Sequence, residues 1–285
     1  MERYLRPTAD ELARAGRKLG DGATIAAGRG RAQHMSLLTE GGAPYLQRIQ
    51  LLPERVGSFD EYPFNVPVVR SLDLQFRRPV TFLIGENGSG KSTIIEAIAG
   101  LLNLPLTGGG TADKGLRYGP NDDHDLARAV RPSFRRRPPD CYFFRGEFVS
   151  HFAQLLDERK ADPDFWGDPY AIYGGKSLFT QSHGEGFLSV MQHRIGDGFY
   201  LLDEPEAALS PQRQLVLMAL VAERAQAGAQ FLVATHSPVI MTIPDAEILL
   251  LEKGAIAPVA IEDTEHFQIT KAVLQNPAAF WKHLR

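Results

Sequence analysis

Residues 82–93, FLIGENGSGKST, constrain this chain more than any other stretch. The apolar run Phe82, Leu83 and Ile84 reads as a short buried strand, and IIEAIAGLL after Thr93 carries apolar residues at helical spacing. The glycines therefore sit between a strand and a helix. Glycine there permits unusual backbone angles and lets a ligand approach the main chain. The helix N-terminus adds free N–H groups and the positive end of a dipole. Together these make an anion cradle, and the spacing G-x-x-x-x-G-K-[ST] fits a nucleoside triphosphate. A glycine-rich turn that binds nothing would explain the glycines, but not the strand before them and the helix after.

Chemistry assigns the roles expected of nucleotide-binding residues Gly85, Glu86, Asn87, Gly88, Ser89, Gly90, Lys91, Ser92 and Thr93, which the resemblance given below makes ATP-binding. Backbone N–H groups from Asn87 to Ser92 wrap the phosphates, and Lys91 reaches the β- and γ-phosphates. Ser92 ligates Mg²⁺, and Thr93 lies near the α-phosphate. A second segment, FYLLDEPE, ends an apolar strand in two acids, Asp203 and Glu204. Acids at the carboxyl end of a buried strand face the crevice where α/β sheets bind ligands. Asp203 is expected to hold Mg²⁺, directly or through water, and Glu204 to act as general base toward the attacking water. A solvated strand end is the plainer reading of these acids taken alone. In VATHSP a third strand delivers His236 to its tip, where it can hydrogen-bond a γ-phosphate and sense its loss.

The chain has 285 residues, 44% of them hydrophobic, enough for one large domain or two small ones. A net charge of −3 gives the whole molecule no nucleic-acid signature. The single cysteine, Cys141, excludes an internal disulfide and a multi-cysteine metal site, and its strand-like surroundings suit a buried thiol. No apolar run approaches the length of a membrane span, and residues 1–20 lack the apolar segment of a secretory signal, so a cytoplasmic protein is expected.

Residues 1–44 read as a loosely ordered extension with a short helix at 9–19, and Met35 is a second candidate start. Residues 1–34 carry +3 against −6 for the remainder, which leaves a nucleic-acid-binding arm open. From Pro44 the pattern is regular. YLQRIQLL and VVRSLDLQF look like strands, and FDEYPFNVP is an aromatic loop between them. RPSFRRRPPD, with Arg131, Arg135, Arg136 and Arg137, reads as a solvated loop or a polyanion contact. Helices are expected at 148–159, over EGFLSVMQHRI, from Pro211 onward and at the C-terminus. AEILLLEKGAIAPVAI reads as a hairpin turning at Lys253 and Gly254. Strands alternating with helices predict a layered α/β domain over 45–285.

The combination of GENGSGKST, LLDEPEAALSP and ATHSP resembles the ABC-type ATPases, and the resemblance spans about residues 45–252. It implies a P-loop NTPase fold of that type: an α/β core with a mixed sheet and a smaller helical signature subdomain, inserted at about 103–195. Small, stand-alone ATPases of the superfamily match better than transporter subunits. In the family the glutamate after the magnesium aspartate is the catalytic base, here Glu204. The signature L-S-G-G-Q falls on QSHGEGF, where Ser182, Gly184 and Glu185 match its positions, although His183 replaces a glycine and Glu185 a glutamine. AALS, 207–210, resembles the loop with which each subunit contacts its partner. A magnesium-contacting glutamine normally follows the strand CYFF. This chain has Arg145 and Glu147, and Glu147 is the candidate for the metal role. Tyr62 and Phe64 are candidates to stack on adenine or to pack the core. The resemblance also implies a head-to-tail homodimer around two ATP, each held between one phosphate loop and the partner's signature. That is a mechanical switch acting on a client protein or DNA. The alternative is the energy-coupling ATPase subunit of a transporter with a separate permease. About eighty residues without heptads separate Leu101 from Gln181, too little for the long coiled coil of a chromosome-maintenance head.

Overall fold

The computed structural model describes residues 44–111, 125–146, 149–163, 166–173, 175 and 183–283. The expected N-terminal extension therefore lies, apart from Pro44, outside the described residues. Strands β1 (Leu46–Leu51), β2 (Asp73–Gln75) and β3 (Val80–Ile84) lead into helix α1 (Lys91–Leu101). Then come β4 (Gly109–Gly110), α2 (Asp125–Ala129), β5 (Val130–Phe134), β6 (Cys141–Arg145), α3 (Val149–Ala161) and α4 (His183–Arg194). The last third supplies β7 (Phe199–Asp203), α5 (Pro211–Gln226), β8 (Gln230–Ala234), β9 (Glu247–Glu252), β10 (Ala255–Pro258), α6 (Glu265–Gln275) and α7 (Pro277–His283).

Seven strands form one mixed sheet in the order β10-β9-β3-β8-β7-β6-β4. The five central strands run parallel, and β10 and β4 pair antiparallel at its edges. β3, β7 and β8 are buried along their whole length, as expected of parallel strands covered on both faces. Their side chains alternate between two cores. Leu83, Phe143, Phe199, Leu201 and Leu232 pack with α1 and the small sheet. Phe82, Phe144, Tyr200, Leu202 and Phe231 pack with α4 and α5. In the second core α5 opens on Pro211, which stands at its first turn after Ser210, where its missing N–H costs nothing. β9 and β10 meet through Lys253 and Gly254, both at positive φ (50° and 79°), the two-residue turn expected of a tight hairpin.

The second sheet is antiparallel, in the order β2-β1-β5. It corrects the reading of 131–140 as loop. Val130 and Phe134 alternate with polar residues, and among the described residues β5 pairs only with β1, so Pro132 sits on an edge strand where no described neighbour needs its N–H. The strand expected over 68–76 is shorter than its apolar run. Val69 and Leu72 close turns onto Val66 and Val69 and are buried by packing, and the regular strand is Asp73–Gln75. Residues 103–195, expected as a helical insertion, also supply β4, β5 and β6 to the sheets.

One side chain joins the two sheets. Gln230 Oε1 accepts from the Leu46 N–H at 2.9 Å, and its Nε2 donates to the Leu46 carbonyl at 3.0 Å, all in the buried interior. The amide continues the ladder from the base of β8 to the start of β1. Gln230→Leu strands the buried Leu46 N–H, and an unsatisfied buried group costs about 1–3 kcal/mol. Chemical unfolding is expected to show a loss of about 2–4 kcal/mol for this variant. A change below about 0.5 kcal/mol, the scatter of surface substitutions, would show that the amide bridge carries no weight.

Candidate functional site

Register places the site. In the central sheet Leu83 pairs with Ala234, Ala234 with Asp203, and Asp203 with Arg145, one row across four strands at their carboxyl ends. The phosphate loop, the acidic pair and His236 each lie at or within two residues of that row. This is the edge at which open α/β sheets bind ligands.

After β3 the chain turns through Gly85 (φ 148°), Gly88 (81°) and Gly90 (103°) into α1. A Cβ on Gly85 would lie 2.5 Å from the Leu251 carbonyl, and one on Gly90 2.7 Å from Val68, so both positions need glycine for space as well as angle. Glu86, Asn87 and Gly88 are exposed at the tip, while Thr93 is half-buried. The Ser89 hydroxyl is buried, with no hydrogen-bond partner among the described residues. Helix geometry leaves the N–H groups of Lys91, Ser92 and Thr93 without intrahelical partners. Lys91 is 5% exposed. Its ammonium donates to the carbonyls of Gly85 (2.7 Å) and Glu86 (3.0 Å). Burial holds its pKa below the ordinary lysine range, against the pull of Glu204, Asp203 and Glu206. The loop thus offers one poorly solvated cation and a set of backbone donors, which suits a polyphosphate.

Ser92 and Glu96 lie four residues apart on one face of α1, and that face looks onto the sheet row. Ser92 Oγ donates to Asp203 Oδ1 at 3.3 Å. Arg145 reaches Asp203 Oδ2 at 3.4 Å and Glu96 Oε1 at 3.0 Å, and donates to the Leu106 carbonyl at 3.0 Å. Burial pushes the Asp203 carboxyl up to about 6, although Arg145 pulls it down. A buried carboxylate beside a hydroxyl is a hard oxygen pair, and Mg²⁺ is commonly held by one or two such groups together with phosphate oxygens. The residues present therefore fit the ion. Of the expected metal residues, Ser92 and Asp203 come together, and Glu147 lies outside the described residues. Sequence reasoning noted Arg145 only as a departure from the family and missed Glu96, whose four-residue spacing from Ser92 was the available signal.

Glu204 follows Asp203 in the left-handed region, φ 47°. Its carbonyl passes so close to Gly146 that a Cβ there would lie 2.5 Å away. The bend separates the two acids: Asp203 is buried, while the Glu204 side chain is 37% exposed and lies 3.6 Å from His236 Nε2. That nitrogen is buried, with no hydrogen-bond partner among the described residues. Glu206 Oε1 accepts from the His236 N–H at 2.5 Å, and one hydrogen bond of 3.0 Å joins His236 Nδ1 to His266 Nε2 on α6. Burial and then the neighbouring His236 hold His266 below the usual histidine range. A carboxylate within reach of an imidazole whose orientation is fixed from behind can accept and pass a proton. Sequence reasoning missed Glu206 and His266. Nothing in the sequence of the C-terminal helix points back to a strand tip thirty residues earlier.

Gly184 is buried at the start of α4, where a Cβ would lie 2.7 Å from the Ala208 carbonyl. Glu185 accepts from Arg213 at 2.7 Å, tying α4 to α5 within the chain. Ser182 lies outside the described residues. Tyr62 is 63% exposed and Phe64 8%, packed in the first core. The basic run is dispersed. Arg131 donates to Gln50, Arg136 engages Tyr45 and Asp197, and Arg137 lies over the Phe134 ring. Among the described residues no helix is long and apolar enough to cross a membrane.

The AAA domain family matches residues 55–135, which hold the phosphate loop. The family described as "AAA domain, putative AbiEii toxin, Type IV TA system" matches residues 177–242, which hold Asp203, Glu204 and His236. The cobalt import ATP-binding protein CbiO of Salmonella typhimurium is 28% identical over 210 residues, covering 67% of this chain and 74% of that protein. The hemin import ATP-binding protein HmuV of Nocardia farcinica is 28% identical over 222 residues, covering 72% and 74%. Among solved structures, cbiO1 of Clostridium perfringens, part of the ABC transporter complex cbiONQ, aligns with a TM-score of 0.48 at 16% identity, covering 81% of this chain and 96% of that one. The chain is similar to the ATP-binding proteins of ABC transporters, and it is an ATPase.

The raised Asp203 pKa has a consequence for stability. Below about pH 4 the carboxyl is protonated folded or unfolded, and between about pH 4 and 6 only the folded form keeps its proton. Stability from this group is therefore present at low pH and lost as pH rises through about 6. In EDTA at pH 7, Asp203→Asn is expected to stabilise the protein by about 1–3 kcal/mol. The gain should fade as the pH drops toward 4. Equal or lower stability of the variant at pH 7 would show that Asp203 is not under strain.

Proposed function

We propose that the chain is an ATP-driven switch that closes as a head-to-tail homodimer around two ATP and reopens on hydrolysis. The observation that carries this reading is the convergence of Lys91, the Ser92–Asp203 pair and the Glu204–His236 pair on one edge of one sheet. In this reading the segment from Gly85 to Gly90 wraps the triphosphate, and Lys91 neutralises its β- and γ-oxygens. Thr93 stands at the α-phosphate. Mg²⁺, held by Ser92 and Asp203, would supply positive charge to the phosphate oxygens. Glu204 accepts a proton from the attacking water, and His236, held by Glu206 and His266, faces the γ-phosphate. Ser182, Gly184 and Glu185 serve the partner's site, where Ser182 and the N–H groups at the start of α4 receive the γ-phosphate. The client is a protein or DNA, and the setting is cytoplasmic.

A second reading follows from the relatives, two of which are import ATP-binding proteins. On it the chain is the energy-coupling ATPase of a transporter with a separate permease. The absence of the glutamine with which transporter subunits dock their permease favours the first reading. Recovery of a membrane permease with the chain from its native host would decide for the second.

Glu204→Gln is expected to bind ATP, to hydrolyse it about 10²–10⁴-fold more slowly, and to accumulate as a dimer by sedimentation. Turnover at the wild-type rate would place the base elsewhere. Ser182→Arg should bind ATP at its own loop yet fail to hydrolyse it. Mixing it with Lys91→Ala should restore part of the activity, since one composite site in the heterodimer is intact. Full activity in Ser182→Arg alone would rule out a signature acting across the dimer.

A further inference from the structure

Arg145 has no place in the catalytic scheme above, yet its surroundings are built around it. The side chain is 15% exposed, and its guanidinium spans Asp203 on β7, Glu96 on α1 and the Leu106 carbonyl. Both Asp203 oxygens are engaged in this arrangement: Oδ1 accepts from Ser92, and Oδ2 faces Arg145. Parallel pairing makes Arg145 and Asp203 direct neighbours on the same sheet face. Arg145 therefore reaches Asp203 through strand register and needs no loop to deliver it. The cation-binding role given to Asp203 above and the observed ion pair compete for the same carboxylate.

We propose that Arg145 is an internal counter-ion standing in the divalent-cation position, and that Mg²⁺ enters by displacing its guanidinium from Asp203. The proposal rests on Asp203 being the cation's carboxylate. The physical reason for such a device is the burial of Asp203 beside the half-buried Glu96. Two carboxylates facing each other in a poorly solvated niche repel, and removing the charge between them leaves both uncompensated. With Arg145 in place half of that negative charge is offset before any ligand arrives, so Asp203 has a counter-ion without metal. The consequence is a raised cation requirement, because an incoming ion has to break an ion pair that already exists. Arg145 thereby sets the cation concentration at which the site becomes competent. When the guanidinium leaves Asp203 it retains Glu96, one helical turn along α1 from Ser92, as an anchor.

The test uses the full chain and Mg²⁺ alone, without nucleotide, with the thermal midpoint as readout and Mn²⁺ binding by electron paramagnetic resonance as a direct check. A ligand that binds only the folded state raises the midpoint in proportion to its affinity. Arg145→Gln is expected to melt lower than wild type in EDTA, to be restored by Mg²⁺, and to show a half-effective cation concentration about tenfold or more below that of the wild type. Arg145→Met, which keeps an unbranched apolar chain but not the charge, should behave the same way and serves if the glutamine variant does not fold. Arg145→Lys should keep a requirement close to that of the wild type. Equal requirements in wild type and both uncharged variants, or a higher one in the variants, would overturn the proposal. Adding Asp203→Asn to Arg145→Gln should abolish the response. If the response survives, the cation binds elsewhere, and the assignment of Asp203 fails together with the inference. If it vanishes while wild type and Arg145→Gln need the same concentration, Asp203 stands and only the role of Arg145 falls.

Discussion

The parallel register of β6, β7, β8 and β3 is the constraint on which the rest depends. Because Arg145, Asp203, Ala234 and Leu83 lie in one row, four segments far apart in sequence leave the sheet at one level. The phosphate loop, the acidic pair, the histidine and the arginine meet without any long loop reaching for another. Slipping one strand by a residue would turn Asp203 onto the opposite face, away from Ser92 on α1, and would also exchange the two cores of the sheet. The hydrophobic alternation that holds the sheet together therefore also aims the carboxylate.

Within that row the site is rich in acid and short of positive charge. Asp203, Glu204, Glu206 and Glu96 crowd around Lys91 and Arg145, and the two cations differ in kind. Lys91 is held by carbonyls of its own loop, which a ligand's oxygens can replace. Arg145 is committed to carboxylates. An arrangement that holds a carboxyl as high as about 6 and leaves the Ser89 hydroxyl and His236 Nε2 without hydrogen-bond partners among the described residues is poorly satisfied by itself. Binding sites are where such dissatisfaction is expected, because a ligand relieves it.

What could be read from the sequence followed from locality. The strand, glycine loop and helix at 80–101, the acids closing β7, the hairpin at Lys253–Gly254 and Pro211 opening α5 are short-range signals, each with its own steric or electrostatic cause. β5 escaped because four arginines and three prolines suggest a loop, and only the edge of a sheet elsewhere makes Pro132 acceptable. The bridge from Gln230 to Leu46 spans 184 residues and has no local trace. Glu96 was half visible, by its spacing from Ser92, but its role depends on Arg145 arriving from another strand. His266 was invisible, since its partner His236 is supplied by tertiary packing alone.

The central claim is that a triphosphate sits on the loop between β3 and α1 and is held there by Lys91. Calorimetric titration of Mg-ATP into the wild type and into Lys91→Ala tests it most directly. The wild type should show saturable binding. The variant should show none while keeping its circular dichroism spectrum, because it loses the buried cation of the cradle and nothing the sheet needs. Undiminished affinity in a folded Lys91→Ala protein would contradict the account.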